Sequence, residues 1–337
     1  MNIRDRRAVH AAAQQALSAA PGEPKKVVLA YTLITCAIAL SFAAISMMLG
    51  DKISATGGLS NMGMRSILST GQSVLPLVQM VISVGMGLGY HVAVLNMIRG
   101  RFSEPRTLVE GFRRFGPALR AVLLQALVYV GLGIVAMQLS SYIFMMLPVS
   151  DEFFTIMEPL VSSVSILDSG LTLDEATVMA LIPAMAPMMW ILLAVFLLLF
   201  LPMAYRFRMV SFSLADDDRP GAIAAMVKSA RMMRRNRVAL FRLDLSMWWF
   251  YALQVLISLV CYGDVILALL GVALPWNATV SYFLFFGLSL VIQAVSYYFF
   301  MNRVYTVYGV VYESLKESVM PPPRPMEKPD FPFPTEY

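Results

Sequence analysis

Charged residues are scarce in this sequence, at 14% of 337 residues, whereas 58% are hydrophobic. A soluble globular chain carries about 25% charged residues and roughly 45–50% apolar ones. One water-soluble core could not cover so much apolar surface, so most of that surface must face lipid. These proportions exclude an ordinary soluble domain and predict an integral membrane protein.

Metal ligands and nucleophiles are equally scarce. The two cysteines, Cys36 and Cys261, lie in apolar runs, and the two histidines, His10 and His91, are far apart in the sequence. The chain has no CxxC pair, no Cys/His cluster and no GxxxxGK[ST] phosphate loop. The sequence therefore predicts no disulfide, no metal, no cofactor and no enzyme activity.

Six apolar segments are long enough to cross a bilayer, which takes about 20 helical residues. Their approximate bounds are 27–49, 74–98, 118–147, 184–205, 243–270 and 279–304. The predicted fold is an all-α, polytopic membrane bundle of six transmembrane helices with cytoplasmic amphipathic helices. We divide the chain into an N-terminal helix (1–26), a membrane domain (27–315) and a proline-rich tail (316–337), which is either flexible or a docking peptide.

Lysine and arginine are unequally distributed between the connections. The N-terminal segment holds five, the second-to-third connection six, the fourth-to-fifth connection nine and the C-terminal part four. The connections on the other side hold only Lys52 and Arg65. Because cytoplasmic loops are enriched in Lys and Arg, this bias of 24 to 2 predicts that both termini and both basic connections are cytoplasmic.

Both basic connections have the pattern of a short amphipathic helix. In the second of them, between the fourth and fifth spans, an acidic run, 216–218, suits a helix N-terminus. An apolar stripe then follows, formed by Ile223, Met226, Val227, Ala230 and Met233. Such helices lie in the headgroup plane with their cations near anionic lipid. The candidate lipid- or partner-binding residues are Arg106, Arg113, Arg114, Lys228, Arg231, Arg234 and Arg235. The two connections are similar either because they form an internal repeat or because any two basic hairpins share these features.

Polar residues within apolar segments are a usual sign of function in membrane proteins, and the candidates are His91, Asp244 and Asp264. His91 is either a packed or headgroup-facing side chain or a proton relay or ligand. For Asp244 we expect a structural ion pair with Arg237 or Arg303. Asp264 follows Gly263 and marks a break in the fifth span. The run Gly85, Gly87, Gly89 predicts close helix contact or bending.

The outer connection between the third and fourth spans (148–183) carries six acidic residues and no basic one. Its apolar residues recur at helical spacing. It is either an interfacial helix that closes the bundle or a cap that binds a partner or ligand.

Several stretches resemble a family of bacterial membrane proteins called domain of unknown function 975. They are Arg7, Ala12 and Leu17, then Gly87–Tyr90, Phe112–Gly116, Pro202 with Tyr205 and Arg206, Ser229–Met233, Leu240 to Trp249, and Tyr312–Leu315. The stretch from Gly263 to Tyr312 is longer than the usual ending of that family. The resemblance implies a bacterial plasma-membrane protein and supplies neither an activity nor functional residues.

The expected function is that of a non-catalytic protein that organises the membrane or binds anionic lipids or partner proteins. Protein partners or a second copy of the chain are further candidates, and nucleic acid is not. The alternative is a transporter or channel component. The material for its polar path would be Gln125, Gln254, Asp264, Gln293 and Asn302.

The topology can be tested by labelling single cysteines in a cysteine-free background on intact cells. We expect an impermeant reagent to label cysteines placed near residues 60 and 160 and to leave those near 110 and 230 unlabelled, because the basic connections are retained inside. Labelling near 230 but not near 160 would refute this topology.

Overall fold

The computed structural model describes residues 5–55, 62–151, 153–155, 158, 175–216, 221–269, 272 and 276–319. These residues are helical for the most part and contain no strand. Three features of the sequence lie outside the described residues. They are most of the acidic connection, the residues Asp217, Asp218 and Pro220 of the second basic connection, and most of the proline-rich tail (320–337).

The helices are numbered in chain order. They are α1 (Arg6–Ala19), α2 (Pro24–Ala55), α3 (Met62–Ile98), α4 (Thr107–Arg113), α5 (Phe115–Met145), α6 (Glu175–Phe207), α7 (Val210–Asp216), α8 (Ala222–Met233), α9 (Arg237–Ser246), α10 (Trp248–Cys261), α11 (Gly263–Leu269), α12 (Ala278–Ser296) and α13 (Asn302–Val319). A π-helical turn, Tyr297–Met301, joins α12 to α13.

Five helical segments among the described residues are long and apolar enough to cross a membrane. They are Pro24–Ile53, Ser66–Ile98, Phe115–Met145, Met185–Asp216 and Thr279–Glu317. The pair α9–α10 passes the same test but is bent by 69°, at Met247. The all-α membrane architecture is therefore confirmed, while a sixth span depends on whether the bent pair crosses as one.

The predicted fifth span (243–270) is not one helix. It is interrupted at Met247, between α9 and α10, and again at Tyr262, between α10 and α11. The second interruption confirms the break expected at Gly263. The first was not expected, because no proline or glycine lies near Met247.

The chain divides into two compact units. The first comprises residues 1–121 and 208–337, and the second comprises residues 122–207. In the second unit, α5 and α6 meet through aromatic rings, with Tyr129 at 4.7 Å from Phe200 between ring centroids. Ser140 is buried there, and its hydroxyl donates to the Ala136 carbonyl at 2.6 Å.

In the first unit, α3 is the central helix. In its most apolar stretch 56% of the residues are buried, compared with 11% in that of α2. The core lies where α3 ends. Its largest fully buried side chains include Tyr90, Leu95, Met97, Leu108, Met209, Met232, Leu240 and Tyr312. We call this region the basic end: α1, α4, α7, α8 and α9, with the C-terminal parts of α3 and α13. Away from this region, the described spans expose large apolar side chains, as lipid-facing helices do.

Glycines allow α4 to pack directly on the backbone of α3. A Cβ atom at Gly89 would lie 2.0 Å from the carbonyl oxygen of Leu108, and one at Gly111 would lie 2.2 Å from that of Gly85. A Cβ atom at Gly87 would have no neighbour within 4 Å. The predicted close helix contact is thus confirmed at Gly85 and Gly89 but not at Gly87.

Gly89→Ala should destabilise the protein and Gly87→Ala should not. The added methyl group at position 89 overlaps backbone atoms, and overpacking of this kind costs about 1–3 kcal/mol. At position 87 the same change meets open space and favours the helix by about 0.5–1 kcal/mol. Thermal unfolding of the two purified variants measures the difference. Equal melting temperatures would contradict the tight α3–α4 contact.

Candidate functional site

The carboxylate of Asp216, at the end of α7, is the centre of a buried ionic cluster. Its side chain is only 4% exposed. The guanidinium of Arg99 donates to one oxygen. The other oxygen lies 2.8 Å from Lys316 Nζ, accepts from the Tyr312 hydroxyl at 2.8 Å, and lies 3.6 Å from Lys228 Nζ. A buried carboxylate is stable only when paired in this way.

Arg99 joins Asp216 to a second carboxylate, that of Glu313. Its Nε donates to Glu313 Oε1 at 2.7 Å. Burial lowers the pKa of Arg99, but the hydrogen bonds to Asp216 and Glu313 outweigh burial and raise its pKa overall. The cluster therefore holds three fixed cations and two fixed carboxylates, and it connects α3, α7, α8 and α13.

Two of the seven candidate binding cations are partly buried and bind other groups of the protein. Lys228 pairs with Asp216, and it also donates to the Tyr312 hydroxyl at 3.1 Å. Arg114 is half-buried and donates to the carbonyls of Leu214 and Ala215 in the last turn of α7. An arginine in that position satisfies carbonyls that have no helical partner. Both residues stabilise the fold.

The remaining five candidate cations are exposed, namely Arg106, Arg113, Arg231, Arg234 and Arg235. No ion pair joins them to another described residue. Arg106 and Arg113 lie at the two ends of α4. Between them Val109 is 64% exposed, and Phe112 is exposed as well. Cations and apolar side chains thus share the accessible surface of α4.

The surface of α8 differs from the predicted apolar stripe. The helix buries Ala222, Ala225, Ser229, Met232 and Met233 against the protein. Met233 belongs to the predicted stripe, but Ile223 and Val227 are 69% and 44% exposed. The protein thus packs on a face that neighbours the stripe, and the membrane contact predicted for the stripe stays a prediction. Two apolar residues of the stripe remain accessible beside the exposed Arg231.

The following helix, α9, continues this accessible surface up to the bend. Val238 and Leu245 are more than half exposed, and Arg242 is exposed between them. The opposite face of α9 is buried through Leu240 and Leu243. A helix with one face on the protein and one accessible apolar face with arginines is suited to the membrane interface.

The predicted N-terminal roles of two other residues are corrected. Asp216 ends α7 and binds the cluster; it does not begin the next helix. The sequence spacing of Thr107 and Glu110 predicts a capping box at the start of α4. Thr107 makes no such cap, since its hydroxyl accepts from the Glu104 N–H at 3.3 Å.

His91 is packed inside the first unit. Its Nδ1 lies 2.6 Å from the Gly87 carbonyl oxygen. Its ring meets Phe212 edge-on at 4.6 Å and Tyr305 at 5.5 Å. This geometry agrees with the packed alternative of the sequence analysis.

Asp244 has a partner that the sequence did not indicate. The Tyr308 hydroxyl donates to its Oδ1 at 2.5 Å, and Arg208 donates to the hydroxyls of Tyr308 and Tyr251 at 2.8 and 2.7 Å. The guanidinium of Arg208 also lies over the Tyr308 ring, 4.7 Å from its centroid. Asp244 thus anchors α9 to α13.

Asp264 lies in the first turn of α11, directly after Gly263. A Cβ atom at Gly263 would lie 2.6 Å from the ring of Phe285, so the glycine makes room for α12 at this break. The structure does not bring Asp264, Asp244 and His91 together. They lie on α11, α9 and α3 and have different neighbours.

Asp216→Asn should destabilise the protein more than Glu313→Gln. Removing the charge of Asp216 leaves three cations near an uncharged, buried amide, and breaking such a pair costs about 3 kcal/mol. Glu313 is 25% exposed and pairs with one cation, so its loss should cost about 1 kcal/mol. Thermal unfolding checks the order. A larger loss for Glu313→Gln would contradict the central role of Asp216.

Comparison with known proteins finds no match to a family model, to a curated protein or to a solved structure.

Proposed function

We propose that this protein is a non-catalytic protein of the bacterial plasma membrane that gathers anionic lipids, and partner proteins bound to them, at its basic end. Both termini and the basic end face the cytoplasm. The observation that carries the proposal is the shared exposure of cations and apolar side chains on α4 and on α8–α9.

The exposed surface has the composition that an anionic bilayer surface attracts. On α8, Arg231 lies beside Ile223 and Val227, and on α4, Arg113 lies beside Val109. Each Lys or Arg near an anionic surface contributes about 1 kcal/mol. The apolar side chains contribute by entering the headgroup–acyl boundary. A chain that used these cations only for folding would pair them, as Lys228 is paired.

The cytoplasmic orientation follows from the same residues. The N-terminal segment, the two basic connections and the C-terminal part hold 24 of the 26 Lys and Arg of the chain, and the other connections hold only Lys52 and Arg65. Such asymmetry retains the basic side in the cytoplasm. The resemblance to the bacterial family supports the plasma membrane as the location.

The polar residues of the interior favour association over catalysis or transport. His91 and Asp244 are bound into the fold. Of the residues proposed for a polar path, Gln293 donates to the Tyr297 hydroxyl at 3.0 Å and Asn302 donates to the Pro24 carbonyl at 3.0 Å. We therefore expect changes at these residues to act through folding.

Lipid selectivity at α9 can be measured by fluorescence quenching. Val238 is 64% exposed, so Val238→Trp in a tryptophan-free background places a reporter beside the surface. Brominated phosphatidylglycerol should quench it more strongly than brominated phosphatidylcholine, and less so at high salt. Arg234→Glu with Arg235→Glu should lower the preference for phosphatidylglycerol at least about fivefold, because two attractive charges become repulsive.

The matched control reverses the two cations at the other ends of the spans, Lys52→Glu with Arg65→Glu. It makes the same change in net charge and should leave the preference at the reporter unchanged. Cysteine labelling must show that both variants keep their orientation. An unchanged preference in the Arg234/Arg235 variant would refute lipid gathering by this surface.

A further inference from the structure

A pocket at the basic end is lined by arginines and aromatic rings from three elements. It lies between α1, the bend at Met247 and the start of α13, and its volume is about 720 Å³. Arg7 and His10 enter it from α1, Trp249 from the first turn of α10, and Arg303 from α13. None of these was among the candidate binding residues of the sequence analysis.

The charges of the pocket are of one sign. No carboxylate lies among the described residues that line it. Arg7 and Arg303 are exposed, and no ion pair joins either of them to a described residue. Elsewhere at the basic end, Arg99, Lys228 and Lys316 are paired with Asp216 or Glu313. Two unpaired guanidinium groups at one pocket leave a positive site that an anion would neutralise.

The positive charge of the pocket also acts on His10. Its Nε2 lies 3.0 Å from the Ser246 hydroxyl, and its Nδ1 has no hydrogen-bond partner among the described residues. Burial first, and then the positive charges of Arg303 and Arg6, lower the pKa of His10. The lowered pKa favours the neutral imidazole, which adds hydrogen-bonding capacity without a third charge.

The two sides of the pocket differ in polarity. Trp249 packs against Phe300, with ring centroids 4.7 Å apart, and Phe300 belongs to the π-helical turn. Such turns often occur at binding sites. The pocket is thus polar on the side of α1 and aromatic on the side of α10, and its size is that of a small-molecule site.

We propose that this pocket binds one phosphate group, carried by a lipid headgroup or by a soluble phosphate ester. Arg7 and Arg303 bind the phosphate oxygens, and the Trp249–Phe300 wall covers the attached carbon chain. The inference deepens the proposed function by naming a discrete site, but it uses different residues from the surface of α4 and α8–α9.

The test measures binding to the delipidated full-length protein in a neutral detergent by ligand-induced thermal stabilisation. The probes are short-chain phosphatidylglycerol, short-chain phosphatidylcholine, glycerol 3-phosphate and inorganic phosphate. Arg7→Gln with Arg303→Gln should weaken phosphatidylglycerol binding at least about tenfold. Ala11→Trp, which keeps every charge and fills the pocket from the exposed face of α1, should weaken it as well.

Arg234→Gln with Arg235→Gln is the matched control, since it also removes two exposed arginines from the basic end. This variant should still bind phosphatidylglycerol in the pocket but should lose the salt-dependent lipid preference of the surface. A failure of the pocket proposal can therefore be distinguished from a failure of the proposed function. Stronger stabilisation by phosphatidylglycerol than by the soluble phosphates identifies a lipid site, and equal stabilisation identifies a phosphate-ester site. Unchanged binding in both pocket variants, or no stabilisation by any phosphate probe, would overturn the proposal.

Discussion

The carboxylate of Asp216 is held by cations that come from three separate parts of the chain. Arg99 directly follows α3, Lys228 lies on α8 and Lys316 lies on α13. Desolvating a carboxylate costs several kcal/mol, which only close and well-directed charges can offset. The position of each helix is therefore constrained by the others. Few arrangements of these elements would satisfy the charge, so the cluster specifies the fold of the basic end as well as stabilising it.

The orientation of α8 is a direct consequence of this constraint. Because Lys228 must reach Asp216, the face with Ala225, Ser229 and Met232 packs on the protein. Ile223 and Val227 then point away from the core, on the side where Arg231 is exposed. One buried ion pair thus determines which apolar residues of α8 are accessible to a membrane. A contact in the interior of the protein therefore determines which residues form the exposed surface on which the proposed function depends.

The sequence predicted those features that depend on local pattern. Apolar length predicted the spanning helices, Gly263 predicted a break, and the glycine run predicted close contact with α3. Periodicity could not choose between two overlapping apolar faces of α8, since both have helical spacing. That choice depends on Asp216, which in the sequence looked like the start of a helix.

The long-range ion pairs could not be predicted from the sequence either, because they depend on tertiary contacts and not on a local pattern. Arg99 and Asp216 are 117 positions apart, and nothing local distinguishes Arg99 from the exposed Arg101. For Asp244 the sequence indicated an ion pair but not the hydrogen bond that the Tyr308 hydroxyl donates to it. For the candidate cations, the sequence alone establishes their number, and their side of the membrane stays a prediction. Which of them fold the protein and which remain available is decided by tertiary contacts.

The bend at Met247 connects the surface of α9 with the pocket. Asp244, which accepts from the Tyr308 hydroxyl, and Ser246, which contacts His10, both lie in α9 directly before the bend. The pocket is lined by Ser246 before the bend and by Trp249 after it, so its shape depends on the bend. Occupation of the pocket should therefore favour the bent conformation, and so should lipid contact along α9. If both ligands prefer the bent form, thermodynamic linkage requires each to strengthen the binding of the other by the same factor.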